Sequence, residues 1–185
     1  VGLGGIGREV AWRVRALGMN VVAVRRGRRA EELAGSGSGA KEEGAFEVLR
    51  GDGGLRALLS RSDYVVIAVP STRETRGMIG AGELAAMRRD AVLINVARGD
   101  VVDEDALVEA LRGGRLRGAA LDVFREEPLP SGSPLWGLPN VLITPHVSGT
   151  TDRFWTRETE LITENVARYL SGRALRNIVD KSAGY

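Results

Sequence analysis

Cysteine is absent, and His146 is the one histidine. Without thiols there is no disulfide and no thiolate metal site, a usage that suits a reducing cytoplasm, and no metal is expected. Long apolar runs are missing too. Nothing approaches the roughly 18 uninterrupted apolar residues that a membrane-spanning helix needs, so no membrane partner is expected. The chain starts without methionine and without a signal-peptide pattern, and it shows no internal repeat. Strong charge imbalance is lacking: 26 Lys and Arg oppose 24 Asp and Glu, for a net charge of +2. Two arginine clusters, Arg25, Arg26, Arg28, Arg29 and Arg112, Arg115, Arg117, read as solvated loop and helix ends. No recognised nucleic-acid motif accompanies them, so no nucleic-acid partner is expected. What remains, 43% hydrophobic and 27% charged over 185 residues, is the composition of a soluble globular chain with room for one proper core.

The stretch that organises the chain is its first seven residues, with glycines at Gly2, Gly4 and Gly7 in the pattern G-x-G-x-x-G. Behind it, Ile6, Val10, Val14 and Leu17 recur at helical spacing, Gly18 stops the helix, and Asn20–Val24 reads as a buried strand. Turn, helix and strand in that order form the first unit of a dinucleotide-binding fold. Gly2 allows the tight turn, Gly4 lets backbone approach a pyrophosphate at the helix N-terminus, and Gly7 lets helix and strand pack closely. Only Val1 to Leu3 precede the turn, against the about five or six residues of a usual strand. The chain is therefore expected to be a truncated piece that begins inside the central strand of its own sheet and is inactive in isolation.

Strands and helices then alternate. A short helix is expected around Arg29 to Leu33, a flexible surface loop at Gly35–Gly39, a weak strand at Phe46–Leu49 and a short helix at Leu55–Leu59. Tyr64–Val69 is a strong buried strand closed by Pro70, and a short helix lies near Glu83 to Met87. Ala91–Asn95 is the next strand. Asp103 caps a helix that carries Leu107, Val108 and Leu111 and ends before Gly113. Strands at Gly118–Asp122 and Val141–Thr144 flank a loop holding prolines 128, 130, 134 and 139. A long helix from about Asp152 to Leu170 places Phe154, Leu161, Ile162, Val166 and Tyr169 on one face. This alternation predicts an α/β fold, a doubly wound parallel sheet of Rossmann type. The dinucleotide-binding domain is expected over residues 1–150, with residues 151–185 as a C-terminal helix and tail.

In such sheets ligands bind outside the carboxyl ends of the strands. The residues just past those strand ends bring Arg98, Asp122, a glutamate at Glu126 or Glu127 and His146 to one rim. A planar guanidinium can hold a carboxylate by two parallel hydrogen bonds. An imidazole can exchange a proton with a carbonyl or hydroxyl, and a neighbouring carboxylate favours its protonated form. Beside a nicotinamide, these groups suit interconversion of a 2-oxo acid and a 2-hydroxy acid.

Five segments, Gly2–Gly7, Pro70–Thr75, Asn95–Asp103, Leu121–Leu129 and Thr144–Gly149, jointly resemble the cofactor-binding domain of the D-isomer-specific 2-hydroxyacid dehydrogenases. The resemblance spans nearly the whole chain. It implies that Arg98 binds the substrate carboxylate, that Glu127 pairs with His146, that His146 is the general acid/base, and that Asp122 contacts the nicotinamide carboxamide. The cofactor-binding set it suggests is Gly2, Gly4, Gly5, Ile6, Gly7, Arg25, Arg26, Val69, Pro70, Thr75, Val96, Ala97, Arg98, Asp122, His146 and Gly149. The partner it implies is a small 2-oxo or 2-hydroxy acid, and the assembly a homodimer. The family's substrate domain is built mostly from residues ahead of the glycine motif, so the substrate side chain is not readable here.

Three positions depart from the family pattern. Ser71 stands where leucine is frequent, and Ser148 where glycine or alanine is usual. The third is Arg25, at the end of the second strand, where NAD-binding folds carry an acidic residue for the ribose 2′-hydroxyl. A guanidinium there suits a 2′-phosphate, so NADP(H) is expected to be preferred, with NAD(H) possible. Two other readings stay open: a non-enzymatic nucleotide sensor resembling some transcriptional corepressors, and a different dinucleotide enzyme such as a hydrolase that keeps its NAD bound.

Overall fold

The computed structural model describes residues 1–25 and 46–182. The helix expected at Arg29 to Leu33, the loop at Gly35–Gly39 and the arginines at 26, 28 and 29 lie outside these residues. Two compact units form, Val1–Pro145 and His146–Tyr185.

In the first unit, α1 (Gly5–Ala16) leads to β1 (Val22–Arg25), and β2 (Glu47–Arg50) leads to α2 (Gly51–Arg61). Next in the chain come β3 (Tyr64–Ile67), α3 (Ala81–Ala86), β4 (Val92–Asn95), α4 (Glu104–Arg112), β5 (Gly118–Leu121) and β6 (Val141–Ile143). Short 3-10 turns occupy Gly99–Val101 and Pro134–Gly137. The second unit contains α5 (Phe154–Leu170). No helix among the described residues is long and apolar enough to cross a membrane.

All strand pairs are parallel. β1 pairs with β2, and β3, β4, β5 and β6 form a second sheet in that order. Between the two sheets runs Val1–Leu3. Gly2 N donates to Val24 O at 3.0 Å, Ala68 N donates to Val1 O at 2.8 Å, and the Val1 amino group donates to Val66 O at 2.6 Å. These three residues do the work of a central strand, giving the order β2, β1, Val1–Leu3, β3, β4, β5, β6. The strand order therefore reverses at the glycine turn, and such a reversal opens a crevice at the carboxyl edge. Parallel pairing sends every strand end to that edge.

Local sequence explains most of these elements. Gly18 ends α1 in the left-handed region at φ 84°, where glycine has no Cβ to clash. Asp103 caps α4, its side chain accepting from Ala106 N at 3.1 Å, and Glu104 and Asp105 complement the helix dipole in the first turn. Alternate residues Val65 and Ile67 on β3 and Leu93 on β4 are fully buried among Leu59 of α2, Leu84 of α3 and Leu107 of α4. The expected inner face of α1 needs correction. Val10, Ala11 and Val14 turn inward, but Ile6 is 61% and Leu17 81% exposed. The close approach of Gly7 to the turn fixes the rotation of α1 and leaves Ile6 about 100° away around the axis, while Leu17 lies beyond the last helical residue.

Candidate functional site

The carboxyl edge begins with the glycine turn. Gly2 has φ 89°, and a Cβ there would stand 2.5 Å from Ala68 O. A Cβ on Gly7 would run into Gly2 O, so α1 sits directly on the turn. Gly4 and Gly5 are different: a Cβ on either meets nothing within 4 Å. That open space lies at the first turn of α1, whose N-cap Gly4 supplies no side-chain hydrogen bond and whose first turn holds no acidic residue. Helix N-terminal N–H groups lack intrahelical partners and carry partial positive charge. A glycine-lined, uncapped helix start of this kind fits the pyrophosphate of a dinucleotide. Ile6 lies in the same turn.

One strand outward, Arg25 closes β1, in register with Arg50 at the end of β2. Nothing in the sequence marks Arg50, because only strand pairing reveals its place beside Arg25. On the other side of the glycine turn, Val69 and Pro70 follow β3. Thr75 turns inward: its hydroxyl donates to Pro70 O at 2.6 Å and accepts from Thr72 N at 2.8 Å. Thr75 therefore shapes the loop that presents Val69 and Pro70.

Arg98 is held on a tightly wound turn. Buried Asn95, at the end of β4, accepts from Ala97 N through Oδ1 at 3.0 Å and donates through Nδ2 to Arg98 O at 3.0 Å. Val96 and Ala97 are wrapped around this amide, and the Arg98 side chain stands exposed, its Nη1 reaching Ala97 O at 2.6 Å. The next residue, Gly99, packs so closely on the Phe124 carbonyl that any Cβ would overlap it. Phe124 N in turn donates to Glu127 Oε1 at 3.0 Å. Backbone contact at Gly99 thus joins the turn carrying Arg98 to the loop carrying Glu127. Asn95 and Gly99 lie outside the site set expected from sequence. The visible signals were an amide at a strand end and a glycine directly after a candidate binding arginine.

Asp122, one residue past β5, is 4% exposed. Its Oδ1 accepts from Thr144 Oγ1 at 2.5 Å, and its N–H donates to Asn95 O at 3.0 Å. The loop beyond it is fastened to the start of α4: Arg125 N donates to Glu104, and the Arg125 guanidinium takes both oxygens of Asp105 at 2.6 and 3.3 Å. That guanidinium holds the Asp105 carboxyl below the usual carboxylate range.

The second unit opens with His146, whose φ of 53° is left-handed, a region that non-glycine residues seldom occupy. Gly149 comes three residues later, with open space about its Cα. The first unit thus carries Arg98, Asp122 and Glu127 on adjoining loops at the carboxyl edge, the edge at which α1 begins. His146 follows β6 by three residues in the chain.

Residues 1–148 match the model of the D-isomer specific 2-hydroxyacid dehydrogenase family, NAD binding domain. Among curated proteins, a glyoxylate reductase of Thermococcus gammatolerans is 40% identical over 183 residues, covering 98% of this chain and 50% of that protein. A glyoxylate/hydroxypyruvate reductase B of Pectobacterium carotovorum is 40% identical over 180 residues, covering 97% of this chain and 53% of that protein. Among solved structures, a D-isomer specific 2-hydroxyacid dehydrogenase from Xanthobacter autotrophicus Py2, in complex with NADPH and MES, has a TM-score of 0.86 at 40% identity, covering 100% of this chain and 70% of that one. The NADPH-dependent glyoxylate/hydroxypyruvate reductase of Sinorhizobium meliloti, in complex with NADP and sulfate, has a TM-score of 0.85 at 35% identity, covering 100% of this chain and 55% of that one. The chain spans about half the length of the curated relatives it matches. With its parallel sheet, glycine turn and strand-end loops in this family's arrangement, the chain belongs to the D-isomer specific 2-hydroxyacid dehydrogenases.

Proposed function

We propose that the whole protein is an NAD(P)-dependent oxidoreductase that interconverts a short 2-oxo acid and the corresponding D-2-hydroxy acid. The observation that carries this reading is the backbone junction at Gly99, which sets Arg98 and the Glu127 loop side by side at the carboxyl edge. N–H groups of Gly4, Gly5 and Ile6 hold the pyrophosphate, and Asp122 orients the carboxamide end of the cofactor. Bound there, a nicotinamide supplies the chemistry of hydride exchange. Arg98 grips the substrate carboxylate through its two-pronged guanidinium. His146 gives its proton to the substrate oxygen during reduction and takes it back during oxidation. Glu127 orients the imidazole and favours its protonated form. The relatives described as glyoxylate or glyoxylate/hydroxypyruvate reductases point to glyoxylate and hydroxypyruvate as first substrates. A cytoplasmic homodimer completes the reading, and light scattering on the whole protein tests the assembly.

NADP(H) is the favoured cofactor. Arg25 ends β1 where an acidic residue would repel a 2′-phosphate, and Arg50 adds positive charge beside it. A hydrogen bond to a charged group contributes about 1.5–3 kcal/mol. At about 1.4 kcal/mol per tenfold, the preference is roughly 10- to 150-fold. The test is kcat/KM for glyoxylate and hydroxypyruvate with NADPH and NADH at one fixed ionic strength, since salt screens charges near the surface. Wild-type protein should turn over with NADPH favoured, and Arg25→Asp should abolish the preference. Nucleotide binding without any turnover would instead identify a sensor. Equal use of NADH would make Arg25 a surface charge only.

A further inference from the structure

Ser71 departs from the family's frequent leucine, and its hydroxyl has a specific partner. Ser71 Oγ donates to Asp100 Oδ2 at 2.7 Å, and Arg76 Nε donates to the same oxygen at 3.1 Å. Asp100 lies two residues beyond Arg98, inside the Gly99–Val101 turn. Its second oxygen, Oδ1, is buried and takes no hydrogen bond among the described residues. A buried carboxylate oxygen without a donor is costly, so placement of this side chain rests on the donors that reach Oδ2. Arg76 is 71% exposed there, and exposed ion pairs contribute little. The half-buried serine is the stronger anchor. Backbone bonds run alongside, from Gly77 N to Asp100 O at 2.8 Å and from Ile79 N to Val101 O at 3.1 Å. The turn holding Arg98 is therefore fixed from within by Asn95, from one side by Gly99 against Phe124, and from the other side by the loop after β3. Of these three restraints, only the last includes side chains that join two strand-end loops, Ser71 and Arg76 to Asp100.

We propose that the bridge from Ser71 to Asp100, buttressed by Arg76, positions the Arg98 turn for the substrate carboxylate. It links the loop beginning at Pro70 to the substrate-binding turn and makes Ser71 and Asp100 positioning residues. The inference rests on the role proposed above for Arg98.

The test uses the whole protein saturated with cofactor. Oxalate serves as a carboxylate probe in calorimetry, and glyoxylate as the substrate. Ser71→Ala should weaken oxalate binding and raise KM for glyoxylate roughly tenfold. A change confined to carboxylate binding leaves kcat and cofactor affinity within about twofold. Ser71→Thr, which restores a hydroxyl, should recover most of the loss. Ser71→Ala combined with Asp100→Ala should cost no more than Asp100→Ala alone, because each single change already removes the one interaction. Unchanged oxalate affinity in Ser71→Ala, an equal loss of cofactor affinity, or additive effects in the double variant would each overturn the bridge. A lower melting temperature with unchanged oxalate affinity would mark it as structural only and overturn it equally. Wild-type protein that binds oxalate without reducing any 2-oxo acid would defeat the oxidoreductase reading alone. The oxalate affinities of the variants would then still decide the bridge. Wild-type protein that binds no oxalate would overturn the bridge, while turnover of glyoxylate would still decide the oxidoreductase reading.

Discussion

His146 carries the most exposed expectation at the level of single residues. In the whole protein, His146→Ala should lower kcat by roughly 10²–10⁴-fold while cofactor affinity, measured by titration, stays close to wild type. Gly99→Ala tests the backbone junction. Its new methyl group must displace the Phe124 carbonyl or the Arg98 turn, and forcing extra volume into a packed site costs about 1–3 kcal/mol. A thermal melt and KM for the 2-oxo acid should both register it. The place of Arg98, Asp122 and His146 just past strand ends was legible in the sequence; the chemistry given to them is the proposal made above. Gly99 and the Ser71–Asp100 pair were not legible, because their roles exist only once two distant loops touch; Asn95 acts within its own turn and was marked only by being an amide at a strand end.

Secondary elements show where such reading succeeds and where it stops. Asp103 was legible as the cap of α4, and its bond to Ala106 N makes the point testable. Asp103→Ala should destabilise the protein by about 1 kcal/mol, visible as a lower denaturant midpoint with an unchanged slope. The weak apolar stretch at Phe46–Leu49 became β2 because β1 offers it a parallel partner in register. The apolar run Tyr64–Val69 overstates its strand by two residues: β3 ends at Ile67, and Ala68 N bonds back to Val1 O. In α5 the expected apolar face exists as a pattern, yet Ile162 is 60% and Val166 54% exposed. Periodicity finds a face; it does not say what covers it. The same limit explains α1, where glycine contact with the turn set the rotation that apolar spacing had placed one residue away.

At the scale of the whole first unit, the doubly wound plan was legible because alternating strand and helix patterns admit few topologies. The seam was not. Val1–Leu3 join a pair of strands to a set of four through three hydrogen bonds, one of them made by the Val1 amino group. Proteins open in cooperative pieces whose boundaries follow the thinnest bonding. We expect β1 and β2 to open as one such piece and β3 to β6 as another, with α2 packed on β1 and β2 and also meeting the core around Val65 and Ile67. Native-state hydrogen exchange should therefore find the Gly2 and Ala68 amides released together in a partial opening, well before the β4–β5 ladder, whose exchange should track global unfolding. The arginine-ended strands β1 and β2 would part from the rest as one leaf. A bound dinucleotide lying across that line would act as a stitch, slowing exchange at the seam far more than within either sheet.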